Sequence, residues 1–182
     1  MSQVSCGDRH SAFAATDGSL FTFGDNECGQ LGIQSKFEDA PKHVSELRED
    51  IKEVSCGYQH TLVLTKHGYI YGMGSNKRCE LGLGSSQSRH NFFQPVRLTQ
   101  LESHRVTKIV AGGFSAALTD KNQLIVWGTG EFGVFATPKK VCMQDVCFID
   151  MSISPQENAC SAAIDSKGGL YMWGPNQHGQ LG

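Results

Sequence analysis

Histidines are the first candidates for chemistry in this sequence, because two of them recur at a regular spacing. His10 and His60 stand 60 − 10 = 50 residues apart, each just before a short apolar stretch. Paired imidazoles could bind a metal ion or move protons. Since both recur in step with the turns of the chain, we expect each ring to play a structural part by hydrogen-bonding backbone groups between strands.

The cysteines show no pattern typical of a metal site. None forms a C-x-x-C pair, and no histidine or second pair completes a zinc set around Cys142 and Cys147. An odd number of cysteines without a pairing pattern favours reduced thiols in an intracellular protein. We therefore expect no metal and no cofactor. The seven cysteines are Cys6, Cys28, Cys56, Cys79, Cys142, Cys147 and Cys160.

Hydroxyl and carboxylate side chains show no catalytic arrangement. Four hydroxyl residues recur where short strands begin, and none lies in a nucleophile elbow. They are Ser11, Thr61, Ser115 and Ser161. Asp17 and Asp25 lie in or beside predicted turns, where Asp caps its own backbone. The stretch 130–133 lacks the strand-loop-helix context of a phosphate site. We predict that the chain is not an enzyme.

Composition excludes several partner classes. The formal net charge is −2, and Lys139-Lys140 is the nearest approach to a basic cluster, so no nucleic-acid partner is expected for this segment. A hydrophobic content of 39% is enough for a packed core. No apolar run reaches membrane-spanning length and the N-terminus does not resemble a signal peptide, so no membrane partner is expected.

An internal repeat organises the whole chain. Four anchor glycines, each preceded by a large apolar residue, are separated by 50, 54 and 46 residues. They are Gly24, Gly74, Gly128 and Gly174. Six residues earlier a residue suited to positive φ marks a tight hairpin turn. These residues are Gly18, Gly68, Asn122 and Gly168. A second bend with positive φ is predicted two residues after each anchor, at Asn26, Asn76, Gly130 and Asn176.

Each repeat contains about four short strands. An innermost strand of small residues precedes the hydroxyl position, and a fourth strand is predicted in each connector, for instance Gln94 to Leu98. A four-stranded sheet with two apolar faces is buried by stacking such sheets radially. The sequence therefore predicts an all-β protein made of β-propeller blades with four antiparallel strands. An ordinary β-sandwich, the alternative, predicts no such register.

The motif V-S-C-G-x-x-H-[ST], followed by x-G-x-[LI]-[FY]-x-[FMW]-G-x-N-x-x-G-Q-L-G, resembles the regulator of chromosome condensation repeat. Residues 4–32, 54–82 and 173–182 match it best. The resemblance implies a seven-bladed propeller, for which this period requires roughly 350 residues. Residues 1–182 are thus expected to be one partial propeller segment, completed by the rest of its own propeller. The repeats are predicted at about 1–50, 51–104, 105–146 and 147–182.

Two repeats depart from the motif. The third has Gly112-Gly113-Phe114 where the histidine is expected, and Val134-Phe135-Ala136 in place of Gln-Leu-Gly. The fourth replaces the Cys-Gly-x-x-His element with the longer stretch 154–160. We expect the blades still to form, with atypical loops at these places.

Loops between the first and second strands and between the third and fourth strands emerge on one side of an up-and-down blade. Charged groups mixed with exposed aromatic rings on that side favour protein recognition. An ordinary solvated loop surface is the alternative. The candidate residues are Arg9, Glu27, Tyr58, Lys77, Arg78, Phe114, Glu131, Phe132, Gln177 and His178.

Two functions follow from the resemblance. One is a non-catalytic interaction scaffold, a module of a larger signalling, ubiquitin-ligase or ciliary protein. The other is guanine-nucleotide exchange on a Ran-like small GTPase with chromatin association, for which the family's founding member uses a hairpin wedge and a basic tail that are not visible here. The partners are accordingly proteins, either a small GTPase or a large assembly. A cytoplasmic location is expected, with cilium and nucleus as alternatives.

Overall fold

The computed structural model describes residues 3–84 and 90–182, and these form four antiparallel sheets. Blade 1 contains β1 (Gln3–Cys6), β2 (His10–Ala14), β3 (Leu20–Asp25) and β4 (Phe37–His43). Blade 2 contains β5 (Ile51–Cys56), β6 (His60–Thr65), β7 (Ile70–Ser75) and β8 (Asn91–Arg97). Blade 3 contains β9 (Val106–Ala111), β10 (Ser115–Thr119), β11 (Leu124–Gly130) and β12 (Gly133–Lys140). Blade 4 contains β13 (Phe148–Ile153), β14 (Ser161–Asp165) and β15 (Leu170–Trp173).

The strands of each blade pair in sequence order, so the prediction of all-β propeller blades is confirmed. A short 3-10 helix, Thr99–Leu101, follows β8. Each sheet lies within one of the four predicted repeat intervals. The strand predicted at Gln94 to Leu98 is observed as β8, whereas blade 4 has three strands within the described residues.

The first strands of neighbouring blades lie side by side around the propeller axis. Cys56 N–H in β5 donates to Ser5 Oγ in β1, and Ala111 N–H in β9 donates to Ser55 Oγ in β5, both at 2.9 Å. Small residues end the first three of these strands, at Cys6, Cys56 and Ala111. Side chains on strand edges thus satisfy backbone groups that an isolated blade would leave free.

Apolar side chains fill the spaces between the blades. The interface between blades 2 and 3 includes Leu62, Leu64, Ile109, Ile125 and Trp127, all at most 2% exposed. Burial of this kind stabilises a repeat array because each blade covers the face of its neighbour.

The outward faces of the first and last blades have no neighbour within the described residues. On blade 1, Val4 is 61% exposed, whereas Val54 at the same position of blade 2 is fully buried. On blade 4, Ile164 and Leu170 are 41% and 62% exposed. The two ends of the array therefore carry apolar surface that the internal blades bury.

The predicted hairpin turns have the expected backbone conformation. Gly18, Gly68, Asn122 and Gly168 have φ values of 90°, 87°, 56° and 84°.

The second predicted bend was wrong in its position. Among the described residues with positive φ, none is the Asn or Gly two places after an anchor. The anchor glycines themselves adopt φ values between 98° and 127°. At Gly24 a Cβ would meet Arg9 O at 2.5 Å, so glycine is required there for close packing as well.

Candidate protein-interaction face

The loops predicted to share one side of the propeller do lie together. Asp25 N–H donates to Arg9 O at 2.9 Å, and Ser75 N–H donates to Gln59 O at 2.8 Å. These bonds join the loop between the first two strands of a blade to the loop that follows its third strand. We call this side of the molecule the loop face.

Backbone bonds also join the loop face from blade to blade. Asp8 N–H donates to Gly57 O at 3.3 Å, and Tyr58 N–H donates to Gly112 O at 2.9 Å. Neighbouring loops are therefore fixed relative to one another, as a preformed binding surface requires.

The asparagine after each anchor organises the loop that follows it. Asn26 Oδ1 accepts from Leu31 N–H at 2.8 Å, while Asn26 Nδ2 donates to Ile33 O and Ser35 O at 2.8 and 2.6 Å. Asn76 accepts from Leu81 N–H in the same way, at 2.9 Å. Asn26 and Asn76 therefore stabilise the loop through side-chain hydrogen bonds to its backbone, and they do not adopt the positive φ that was predicted for them.

His10 and His60 link adjacent blades. His10 Nε2 lies 2.8 Å from Thr61 Oγ1, whose hydroxyl donates to Gln30 O at 2.7 Å. Because the Thr61 hydroxyl already donates its proton to Gln30 O, His10 Nε2–H is the donor to Thr61 Oγ1. His60 bonds to Ser115 Oγ at 2.8 Å, and Ser115 donates to Glu80 O at 2.6 Å. We call each chain of imidazole, hydroxyl and carbonyl a relay.

Burial lowers the pKa of His10 to about 4 and the pKa of His60 to about 3. Both rings are therefore neutral at physiological pH, which is the state that the relay geometry uses. Nε2 of each ring bonds to a side-chain hydroxyl of the next blade and not to the backbone group that we expected, and a loop carbonyl is reached only through that hydroxyl.

Phe114 was expected among the exposed aromatic rings of the loop face, and this was wrong. The side chain is 2% exposed, since it occupies the position of His10 and His60 and points into the interface between blades 3 and 4. Phenylalanine cannot donate to Ser161, which stands where Thr61 and Ser115 stand. Accordingly, Ser161 Oγ is buried without a hydrogen-bond partner among the described residues.

Phe132 is also partly withdrawn from the surface. Its ring lies 6.0 Å from Phe114 and 5.0 Å from Trp173, measured between ring centroids. The loop that carries it is short, because Glu131 and Phe132 alone connect β11 to β12. The stretch 133–136, which aligns with the Gly-Gln-Leu-Gly loops of the other repeats, therefore belongs to a strand.

The longer loop of the fourth repeat, 154–160, forms an arch over blade 3. Gly113 N–H donates to Ser154 O at 3.1 Å, and Arg78 of blade 2 forms a salt bridge with Glu157 at 3.1 Å. Arg78 Nη1 also donates to Glu157 O at 3.1 Å. Arg78, expected to be a free binding residue, is thus engaged with the arch.

The other candidates remain accessible on the loop face. Tyr58 is partly buried, and the exposed residues are Arg9, Glu27, Lys77, Glu131, Gln177 and His178. Sequence reasoning missed Phe37 and Val134, which lie at the loop-face ends of β4 and β12 and are 63% and 68% exposed. Both residues stand just after a loop-face loop in the sequence, and this position could have indicated that they lie on the loop face.

No group of three or more His, Cys, Asp or Glu side chains within the described part of the chain is arranged to hold a metal ion. Nor do residues 3–84 and 90–182 contain a helix long and apolar enough to cross a membrane. The expectations of no metal, no cofactor and no membrane partner stay predictions.

The family profile described as "Regulator of chromosome condensation (RCC1) repeat" matches residues 17–64 and 67–118, more than half of the chain. A second profile with the same description matches residues 1–30 and 51–78. This chain belongs to the RCC1 repeat family. Its departures in the third and fourth repeats are thus variations on an RCC1 blade.

Two curated relatives show the range of proteins that contain such repeats. A bifunctional serine/threonine-protein kinase/NEDD4-like E3 ubiquitin-protein ligase of Dictyostelium discoideum is 26% identical over 99% of this chain and 11% of its own length. The human X-linked retinitis pigmentosa GTPase regulator is 35% identical over 71% of this chain and 13% of its own length. The chain therefore spans only a small part of these relatives.

A solved structure of an RCC1-repeat protein has the same fold. Prp20p of Saccharomyces cerevisiae superimposes with a TM-score of 0.80 at 21% identity, over 94% of this chain and 44% of the yeast chain. At this identity the likeness shows the fold alone. The RCC1 segment described here thus corresponds to a little under half of that protein.

Proposed function

We propose that this RCC1 segment is a non-catalytic scaffold that binds other proteins through its loop face. The observation that carries the proposal is the composition of that face. Exposed charges of both signs, at Arg9, Glu27 and Lys77, share this face with the exposed apolar side chains of Phe37 and Val134. Protein-binding surfaces combine apolar anchors with a surrounding polar rim in this way.

The rigidity of the face supports the same function. Bonds between neighbouring loops, such as Tyr58 N–H to Gly112 O, hold the binding residues before any partner arrives. A preformed surface loses less conformational entropy on binding than a mobile one.

In the relatives, the matched repeats make up only a small part of a longer protein, which supports the proposal that this chain is a module of a larger protein. The Dictyostelium relative, by its name, combines a kinase with a ubiquitin ligase, and the human relative is named a GTPase regulator. We propose that the segment described here is likewise a binding module of a larger signalling, ubiquitin-ligase or ciliary protein. An intracellular site accords with the seven cysteines, all of which are free thiols in the structure.

The test replaces charges on the loop face of the full-length protein. Arg9→Glu combined with Lys77→Glu changes two exposed cations, and Lys66→Glu combined with Lys121→Glu makes the same change in two hairpin turns away from that face. Proteins that co-purify from cells are compared by quantitative mass spectrometry. Loss of specific partners with the first variant and retention with the second is expected, and identical partner sets would contradict the proposal.

Guanine-nucleotide exchange on a Ran-like GTPase is the second candidate. It is supported by the fold shared with Prp20p, whose structure was described together with its binding to Gsp1p and histones. The test is release of a fluorescent guanine nucleotide from the GTPase. Faster release in the presence of the full-length protein would favour this candidate over the scaffold, and an unchanged rate would exclude it.

We also propose that further blades of the same propeller cover the two apolar ends. The exposed positions of Val4 and Leu170 correspond to positions that internal blades bury. Expression of residues 1–182 alone provides the test. A soluble monomer with a sharp thermal transition would contradict the proposal, whereas association or weak cooperativity is expected.

A further inference from the structure

The connector between blades 3 and 4, residues 141–147, carries two cysteines on either side of a tight turn. Cys142 and Cys147 are both exposed, and both are free thiols. The turn between them is centred on 144–145, where Asp145 adopts a φ of 58°. In such a turn the Cα atoms of Met143 and Val146, the residues next to the two cysteines, are less than about 7 Å apart. The local fold therefore places the two cysteines at neighbouring positions.

Both ends of this connector are fixed by the blades. Val141 N–H donates to Leu124 O of blade 3 at 2.8 Å, and Ser166 N–H of blade 4 donates to Cys147 O at 2.9 Å. Val141 and Val146 also pack against the apolar core between blades 3 and 4. The cysteines are thus held in place by their neighbours, while their side chains stay accessible.

Both cysteines line the same cavity, which has a volume of about 230 Å³. Its charged side chains are those of Lys121, in the hairpin between β10 and β11, and Lys140, at the end of β12. No Asp or Glu of the described residues lines this cavity, and Asp145, the acidic residue of the connector, is not part of its wall. The cavity is smaller than the roughly 300–1,000 Å³ of sites that enclose a drug-sized ligand, so it suits one end of a small molecule.

The two lysines leave positive charge unneutralised beside the thiols. Lys121 and Lys140 form no salt bridge with any residue in the described part of the chain. A third cation is close by, since Lys167 Nζ donates to Asp145 O at 3.4 Å. An anionic ligand gains charge-assisted hydrogen bonds from such ammonium groups. Reactive cysteines characteristically lie in surroundings of this kind, partly exposed and electropositive.

The other cysteines lack these features. Burial raises the pKa of Cys56 to about 12 and also raises the pKa of Cys28 and of Cys79, so these thiols stay protonated at neutral pH. Cys6 is exposed, but the thiol that shares its cavity is the buried one of Cys56. Cys160 Sγ donates to a loop carbonyl at 3.4 Å. Within residues 3–84 and 90–182, an exposed pair of thiols beside unpaired cations therefore occurs only in this connector.

We propose that Cys142 and Cys147 form a thiol–disulfide exchange site for a small anionic disulfide of the glutathione type. The thiolate of one cysteine attacks a sulfur of the disulfide, whose S–S bond breaks, and one glutathione leaves as a thiolate that takes up a proton. The second cysteine then attacks the protein sulfur of this mixed disulfide, which forms the Cys142–Cys147 bond and releases the second glutathione. In total, the two protein thiols lose two electrons and two protons, and one glutathione disulfide is reduced to two thiols.

The lysines of the cavity give the site its preference for an anion. Lys121 and Lys140 pair with carboxylates of the incoming disulfide and hold one of its sulfurs beside the two thiols. The connector lies at the hairpin side of the blades, away from the loop face, so the inference does not depend on the function proposed above.

The test treats the reduced full-length protein with glutathione disulfide and maps the products by mass spectrometry. Because positions 145 and 150 are aspartates, digestion on the N-terminal side of aspartate places Cys142, Cys147 and Cys160 in different peptides. A crosslink between the peptides of Cys142 and Cys147 is expected. Cys142→Ser and Cys147→Ser should each stop at a mixed disulfide on the remaining cysteine, and Cys6→Ser should still form the crosslink.

Matched lysine variants test recognition of the anion. Lys140→Gln removes a cation of the cavity, whereas Lys139→Gln removes an exposed cation whose side chain leaves the same strand on the other face. Lys140→Gln is expected to slow oxidation by glutathione disulfide roughly threefold and to leave oxidation by the neutral hydroxyethyl disulfide unchanged. Lys139→Gln should change neither rate.

All of these variants change exposed side chains, so the melting temperatures of the reduced proteins should match the wild-type value. This control separates lost reactivity from misfolding. The proposal would be overturned by a wild-type protein that forms no crosslink or accumulates only the mixed disulfide. Equal rates for Lys139→Gln and Lys140→Gln with glutathione disulfide would overturn the recognition of an anion.

Discussion

The interfaces between successive blades are built in two different ways. Between blades 1 and 2, and again between blades 2 and 3, a buried histidine donates to a hydroxyl of the next blade, which donates to a loop carbonyl. Between blades 3 and 4 the histidine is replaced by Phe114, and Phe132 and Trp173 complete an aromatic cluster.

The difference extends to the propeller axis. Ser5 and Ser55 accept backbone N–H groups of the next innermost strand, whereas Val110, at the same position of blade 3, has no acceptor. A salt bridge between Lys108 and Asp150 links blades 3 and 4 there. One repeat family can therefore join its blades either by directional hydrogen bonds or by less directional aromatic packing, and in the second arrangement Ser161 Oγ has no partner within the described residues.

The largest effect is expected from Phe114→Ala. Truncating a buried aromatic side chain costs about 3–5 kcal/mol, and here it removes the centre of the aromatic interface. Phe37→Ala, at a 63% exposed position, is expected to change the free energy of unfolding by less than about 0.5 kcal/mol. Urea unfolding of both variants provides the measurement. Similar costs for the two would show that the third interface does not depend on Phe114.

Acid should weaken the relay interfaces before the aromatic one. The pKa values of His10 and His60 in the folded state, about 4 and about 3, lie below the ordinary histidine value of 6.5. At a pH between the folded-state value and 6.5, the unfolded chain therefore binds more protons than the folded chain. Stability contributed by the neutral rings is complete above pH 6.5 and is lost as pH falls. The loss approaches about 1.4 kcal/mol per pH unit for each histidine.

His60→Gln isolates this pH effect, because glutamine offers an amide donor that does not titrate. Unfolding free energies of the wild-type protein and the variant are compared from pH 7 to pH 5. The difference between them should shrink as the pH falls. A constant difference across this range would contradict a neutral, buried His60.

His60→Ala should cost about 2–3 kcal/mol at neutral pH, from the cavity it leaves and the donor that Ser115 loses. Hydrogen exchange shows where the effect falls. Amides of blades 2 and 3 near the relay are expected to lose protection, and those around Trp173 to keep it. A uniform loss across all four blades would mean that the interfaces do not behave as separate units.

Much of this fold follows from repeat spacing. The anchor glycines and the hairpin residues, such as Gly18 and Asn122, recur in register because each blade needs the same turns. The structural role predicted for His10 and His60 from their recurring position stays a prediction, and the structure shows that both rings bond to a hydroxyl of the next blade.

The candidate site was less predictable because exposure depends on neighbours distant in sequence. Phe114 visibly replaces a histidine, but its burial depends on blade 4 and on the arch 154–160. Arg78 forms a salt bridge with Glu157, which lies 79 residues further along the chain.

The most direct test of the two kinds of interface is a pair of identical changes at equivalent positions. Ser115 Oγ accepts from His60 and donates to Glu80 O, whereas Ser161 Oγ has no partner within the described residues. Ser115→Ala should therefore lower the free energy of unfolding by about 1–2 kcal/mol. Ser161→Ala should leave it unchanged or raise it by up to about 1 kcal/mol. Equal losses for the two variants, measured by urea unfolding at pH 7, would contradict the account.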